Sequence, residues 1–176
     1  MDKLFDNIKN NSELFISSIS FIVALFSLIF GIISLCIQRS HNKKSVLPLG
    51  FISLANYENL LRIKIINNGV GPLIIQNIKT YKNKEDIKNY PIEWFENDNI
   101  IWSTFRKNLE EYSIAANSES ILLEYKVDLS NKQSIETRDI IRNKLKDLTI
   151  TIEYNDIYNK KYKKERKLSW FSGNHE

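Results

Sequence analysis

The chain is 176 residues long, 43% hydrophobic and 26% charged, with a formal net charge of +4, averages that fit an ordinary small globular protein. Its single cysteine, Cys36, excludes an internal disulfide and a Cys-x-x-Cys metal site. The two histidines, His41 and His175, leave a His-based metal centre in need of ligands that nothing in the sequence singles out.

The averages conceal unlike parts. Residues 1–13 form a polar tail, and from Leu14 to Ile37 the sequence runs 24 residues without a charge, long enough to cross a bilayer as a helix. The run is too long for the apolar region of a cleaved signal peptide, and Gln38-Arg39-Ser40-His41 behind it offers no small-x-small cleavage site. Leu35 before Cys36 also departs from a lipid-attachment box. A retained single-pass anchor is expected at the cell membrane. Arg39, Lys43 and Lys44 follow the segment in a basic juxtamembrane linker, residues 38–45, whereas only Lys3 and Lys9 precede it. The positive-inside rule therefore places the C-terminal domain in the cytoplasm, and that domain's lack of cysteine fits.

Within the apolar run, Ser17, Ser20, Ala24, Ser27, Gly31 and Ser34 recur at separations of 3, 4, 3, 4 and 3 residues, the spacing of one face of a left-handed supercoil. Helices in lipid associate through close backbone approach and interhelical hydroxyl bonds rather than hydrophobicity. The spacing predicts a homo-oligomer packed through this seam. The competing explanation is that each serine merely bonds back to its own helix.

The remaining 132 residues suffice for one domain with a real core but not for a two-domain enzyme. Short alternating runs predict strands at Val46–Leu54, Leu60–Asn67, Pro72–Lys82, Ser120–Val127, Leu148–Tyr154 and Tyr162–Trp170. Two helices are predicted between them, over Ile101–Glu111 and Ile135–Lys146, the second capped by Ser134 with Ile141 and Leu145 on its packing face. A turn is predicted at Asn68, Gly69, Gly71 and Pro72, since Asn and Gly accept positive φ and Pro stops continuation. The expected class is an N-terminal transmembrane helix followed by a mainly-β domain, a β-sandwich over residues 46–176 with one or two inserted helices.

Two short motifs sharpen that expectation. Asn67-Asn68-Gly69-Val70-Gly71-Pro72 and Tyr154-Asn155-Asp156-Ile157-Tyr158-Asn159 resemble the N-x-G-x-G-P and Y-x-D-x-Y-G turns of bacterial membrane-anchored proteins with an immunoglobulin-like sandwich. Asn159 replaces the final glycine, a swap that the left-handed region tolerates. The resemblance implies a fold and carries no catalytic residues.

Candidate chemistry is sparse. Gly69-x-Gly71 lacks the third glycine and following helix of a phosphate-binding loop, and no nucleophile has a visible base partner. No enzyme activity and no cofactor are expected. Lys160, Lys161, Lys163, Lys164, Arg166 and Lys167 crowd one terminal strand. They either protect a sheet edge or, with Arg39, Lys43 and Lys44, contact anionic lipid. Nucleic acid is disfavoured, since the domain carries 20 bases against 18 acids. Tyr90, Trp94, Phe95, Trp102 and Phe105 are expected in the core, an exposed partner site being the alternative. The expected function is a membrane-anchored, oligomeric, non-catalytic binding or scaffold module for a protein or small-molecule partner. The alternative is a membrane effector whose β domain senses a ligand and drives the helices to breach the bilayer.

Overall fold

The computed structural model describes residues 2–82 and 86–173, without the side chains of 2–13; the polar tail's side chains and His175 lie outside that description. The chain divides into two units, Met1–Lys44 and Ser45–Glu176. The first is a single helix, α1, over Asp2–Lys44. Its stretch Leu14–Lys44 contains an 18-residue window with a mean hydropathy of 2.7, long and apolar enough to cross a membrane. Nothing between Gln38 and Lys44 is a proline or glycine that would stop a helix, so the basic stretch expected as a linker is helical up to Lys44.

The second unit is built on two antiparallel sheets. One has the strand order β1-β2-β7-β5 and the other β4-β3-β8-β9, with β6 pairing the start of β3. The ranges are β1 Gly50–Asn56, β2 Leu60–Asn67, β3 Leu73–Tyr81, β4 Ile87–Lys88, β5 Thr104–Phe105, β6 Ser113–Ile114, β7 Ser118–Lys126, β8 Thr149–Asn155 and β9 Lys161–Lys167. The helix α2, Lys132–Leu145, links β7 to β8. Leu61, Ile63 and Ile65 of β2, Ile75 and Ile78 of β3, Ile150, Ile152 and Tyr154 of β8, and Ile141 and Leu145 of α2 join one buried core. In β2 every second residue faces inward, as its sequence alternation requires.

Two strands depart from strict alternation. A register shift between Ile75 and Asn77 makes Gln76 an extra residue opposite β8, and another opposite Ile63 and Lys64 lets both Leu122 and Leu123 of β7 reach the core.

Several expectations need correction. Residues 101–111 are not helical. Ser103 N–H donates to Glu124 O at 3.1 Å and Arg106 N–H to Leu122 O at 3.1 Å, so the segment extends the first sheet as β5. Asn108 and Glu111, at φ 57° and 61°, take left-handed conformations incompatible with a continuing helix. Helix α2 starts earlier than predicted and is capped by Asn131, whose Oδ1 accepts from Gln133 and Ser134 N–H groups. Ser134 sits inside the first turn and accepts from Asp128 N–H at 3.0 Å. Strand β1 begins at Gly50 because Leu47 and Leu49 are hydrogen-bonded to the 67–71 turn: Leu47 O accepts from Gly71 N–H, and Leu49 O from Asn68 N–H.

Candidate functional site

On α1 the six seam residues fall on one continuous helical stretch. Ser20 Oγ donates to Ile16 O at 2.9 Å and Ser27 Oγ to Val23 O at 2.8 Å, as off-seam Ser18 does to Leu14 O at 2.8 Å. Among the described residues, and apart from its own helix backbone, nothing lies within 4 Å of the position a Cβ would take at Gly31. The stripe is thus small, and the hydroxyls of Ser20 and Ser27 are already satisfied, while Phe15, Leu25, Leu28 and Phe30 stand exposed around it.

The basic strand lies at a sheet edge, paired only with β8, and its charges divide by parity. Tyr162, Lys164 and Arg166 share the face of Tyr154, Ile152 and Ile150. Arg166 Nη1 donates to Ile52 O of β1 at 2.6 Å, and Lys160 Nζ lies over the Tyr162 ring, 5.4 Å from its centroid. Lys161, Lys163, Glu165 and Lys167 occupy the outer face with Glu153 and Asn155. The six bases therefore do not form one patch.

The two turns at one end of the sheets work differently from expectation. Gly69 and Gly71 have no positive φ; glycine is needed because a Cβ would lie 2.3 Å from Leu47 O at the first and 1.8 Å from Val46 O at the second. Asn67 organises this turn. It occupies the inward parity of β2, is fully buried, and its Oδ1 accepts from Leu49 and Gly69 N–H while its Nδ2 donates to Gly71, Ile114 and Ala115 carbonyls at 2.7–3.1 Å. Asn68, expected as the turn residue, is exposed. Continuing the inward series Leu61, Ile63, Ile65 by two residues would have found Asn67.

The other turn behaves as read. Asp156 Oδ1 accepts from Tyr158 N–H at 2.8 Å and Lys160 N–H at 2.9 Å, and Asn159 takes φ 60°. Tyr162 OH donates to Asp156 Oδ2 at 3.1 Å. Burial, then this hydrogen bond and the Asp156 charge, raise the Tyr162 phenol above its usual value.

The aromatic segment is mostly structural. Tyr90 and Phe95 are buried, and Trp94 and Trp102 pack against the core. Trp94 Nε1 donates to Thr80 Oγ1 at 2.7 Å, and Phe95 meets Trp102 edge to face at 5.1 Å. Phe105 is exposed on β5.

A cleft of about 420 Å³ lies on the outer face of β8 and β9, bounded by Gln76, Glu153, Asn155, Lys161, Lys163, Tyr154 and Tyr162. The bulge at Gln76 turns that side chain and Asn77 successively outward and opens the cleft. Asn155 is only 9% exposed, and its buried Oδ1 accepts no hydrogen bond. A second cavity, of about 370 Å³, contains Arg142. That guanidinium is already engaged with Asn56 Oδ1 at 2.8 Å, Tyr57 O at 3.1 Å and Asp139. Burial pulls its pKa down. No sequence signal marked Gln76 or Asn155, because a bulge leaves no imprint in alternation and outward parity predicts exposure.

Comparison of the chain with protein-family models, with curated proteins and with solved structures gives no match.

Proposed function

We propose that the chain is a single-pass membrane protein whose helix self-associates through Ser17, Ser20, Ala24, Ser27, Gly31 and Ser34, and whose cytoplasmic, immunoglobulin-like β domain is a non-catalytic binding module. The observation that carries this reading is the uninterrupted stripe of small residues on a helix of membrane-spanning length. Small residues let backbones approach closely where lipid gives no hydrophobic drive. Ser20 and Ser27 direct their hydroxyls to the Ile16 and Val23 carbonyls of their own helix, so the proposed association rests on close backbone approach at small residues and not on interhelical hydroxyl bonds. Three bases behind the apolar run against two before it support the cytoplasmic placement.

Chemical crosslinking of the full chain in membranes tests the reading. Dimers are expected for the natural sequence and should vanish in the Ser27→Ile, Gly31→Ile double variant; unchanged crosslinking refutes the seam. A fused reporter active only outside the cytoplasm would reverse the orientation.

A further inference from the structure

The outer-face cleft of β8 and β9 concentrates polar groups that the fold does not use. Among the described residues Gln76, Glu153, Lys161 and Lys163 make no side-chain hydrogen bond or ion pair within the chain, and Asn155 Oδ1 is an acceptor without a donor. Other charged groups of the domain are paired, Arg62 with Glu124, Lys64 with Glu119 and Lys144 with Asp98, and the other buried side-chain atom without a partner, Ser120 Oγ, does not line this cleft. A buried unsatisfied carbonyl is costly enough that a compensating donor is its natural explanation. A ligand complementary to this set carries an anion for the two lysines and, close by, an N–H donor for Glu153 and the Asn155 amide.

The cleft's position narrows the source. Strand register puts Gly50, Asn67, Ile74, Asn155 and Lys161 at one end of the domain, and Gly50 N–H donates to Tyr154 OH at 3.1 Å. The chain reaches this end only a few residues after the apolar helix closes at Lys44, a tether of at most about 20 Å. The turns there expose Val70 at 63%, and Ile157 and Tyr158 at 47% each, side chains suited to the boundary between water and acyl chains.

We propose that the cleft binds the head group of a zwitterionic phospholipid bearing a phosphate and a primary ammonium, presented by the membrane in which the chain is anchored. The phosphate lies between Lys161 and Lys163, and the ammonium donates to Glu153 and, after a small rotation of the amide, to Asn155 Oδ1. A trimethylammonium head group has no N–H and leaves that oxygen unsatisfied, so the cleft discriminates by hydrogen bonding rather than by charge. About 420 Å³ accommodates a head group and not the acyl chains. The inference rests on the anchored reading above but not on self-association.

The test uses the full chain in two arms. In detergent, calorimetric titration with O-phosphoethanolamine and with phosphocholine should show the first binding about tenfold tighter, the worth of one charge-assisted hydrogen bond. Asn155→Leu should reduce the preference, the bond to Glu153 remaining, and an unchanged preference overturns the part assigned to Asn155; Lys163→Glu, at an exposed position, should abolish binding of both. In nanodiscs, amides of residues 153–163 should exchange more slowly in phosphatidylethanolamine than in phosphatidylcholine. Equal affinities in detergent overturn the proposed chemistry; a preference in detergent without protection in nanodiscs overturns the lipid source. Release of the chain from membranes by carbonate would refute the anchor separately, since the detergent arm needs no bilayer.

Discussion

Two asparagines end two strands at the same end of the β domain, and their circumstances are opposite. Asn67 closes β2 with five hydrogen bonds to surrounding backbone, whereas Asn155 closes β8 with an Oδ1 that accepts none. Both are buried. The first is a structural keystone at an inward position, where the core would otherwise hold an unpaired amide. The second sits at an outward position that became enclosed through the Gln76 bulge and the lysines of β9. Burial alone therefore does not tell whether a polar side chain serves the fold; its hydrogen-bond account does.

The largest expected effect is at Asn67. Replacing it with alanine strands the Leu49 and Gly69 N–H groups and three carbonyls, and at about 1–3 kcal/mol for each uncompensated buried group the domain should lose at least about 3 kcal/mol. Denaturant unfolding of the full chain in detergent measures this, and a loss near zero would remove the contrast.

An intermediate effect is expected beside Asn155, where Tyr162 is tied to Asp156. Its raised pKa means the folded state holds the phenolic proton more tightly than the unfolded chain. The resulting stabilisation is present below about pH 10 and disappears as pH rises through the folded value. Absorbance titration should show two phenols ionising late, Tyr162 and Tyr81, the latter raised by burial and by Glu165, and Tyr162→Phe should remove one of the two and its share of the alkaline loss.

The smallest effect is expected at Asn155 itself. Asn155→Leu removes an unsatisfied carbonyl and keeps volume, so stability should change by less than about 1 kcal/mol or rise slightly. A loss as large as that at Asn67 would show that Asn155 is a fold residue after all and sharpen the comparison in the opposite sense.

How far the sequence revealed this arrangement depended on the kind of signal. The apolar helix and β2 were legible because length and alternation follow directly from burial, and β2 keeps its predicted limits, Leu60–Asn67. Asp156 was legible because a turn aspartate bonds backbone locally. The segment after Ile101 was misread as helix: its pairing partner, β7, lies far along the chain, and two-residue strands such as β5 have no period to detect. Gly69 and Gly71 were recognised as necessary but for the wrong reason, since the crowding comes from residues 46–49, which no local rule places beside them. The cleft was invisible because it depends on a register shift, a property of two strands together.

Arg166 carries a consequence for crowding. Chains gathered by their helices would hold β domains at high local concentration, where exposed strand edges invite sheet extension from one copy to the next. By reaching from β9 to the Ile52 carbonyl, Arg166 clasps the long edges of the two sheets to each other, and the opposite edges, β4 and β5, are only two residues long. One pair of edges is thus short, and the other is bridged at Ile52. Under the proposed self-association, β domains held close by their helices would have little free edge through which to polymerise, and the stoichiometry would fall to the helices.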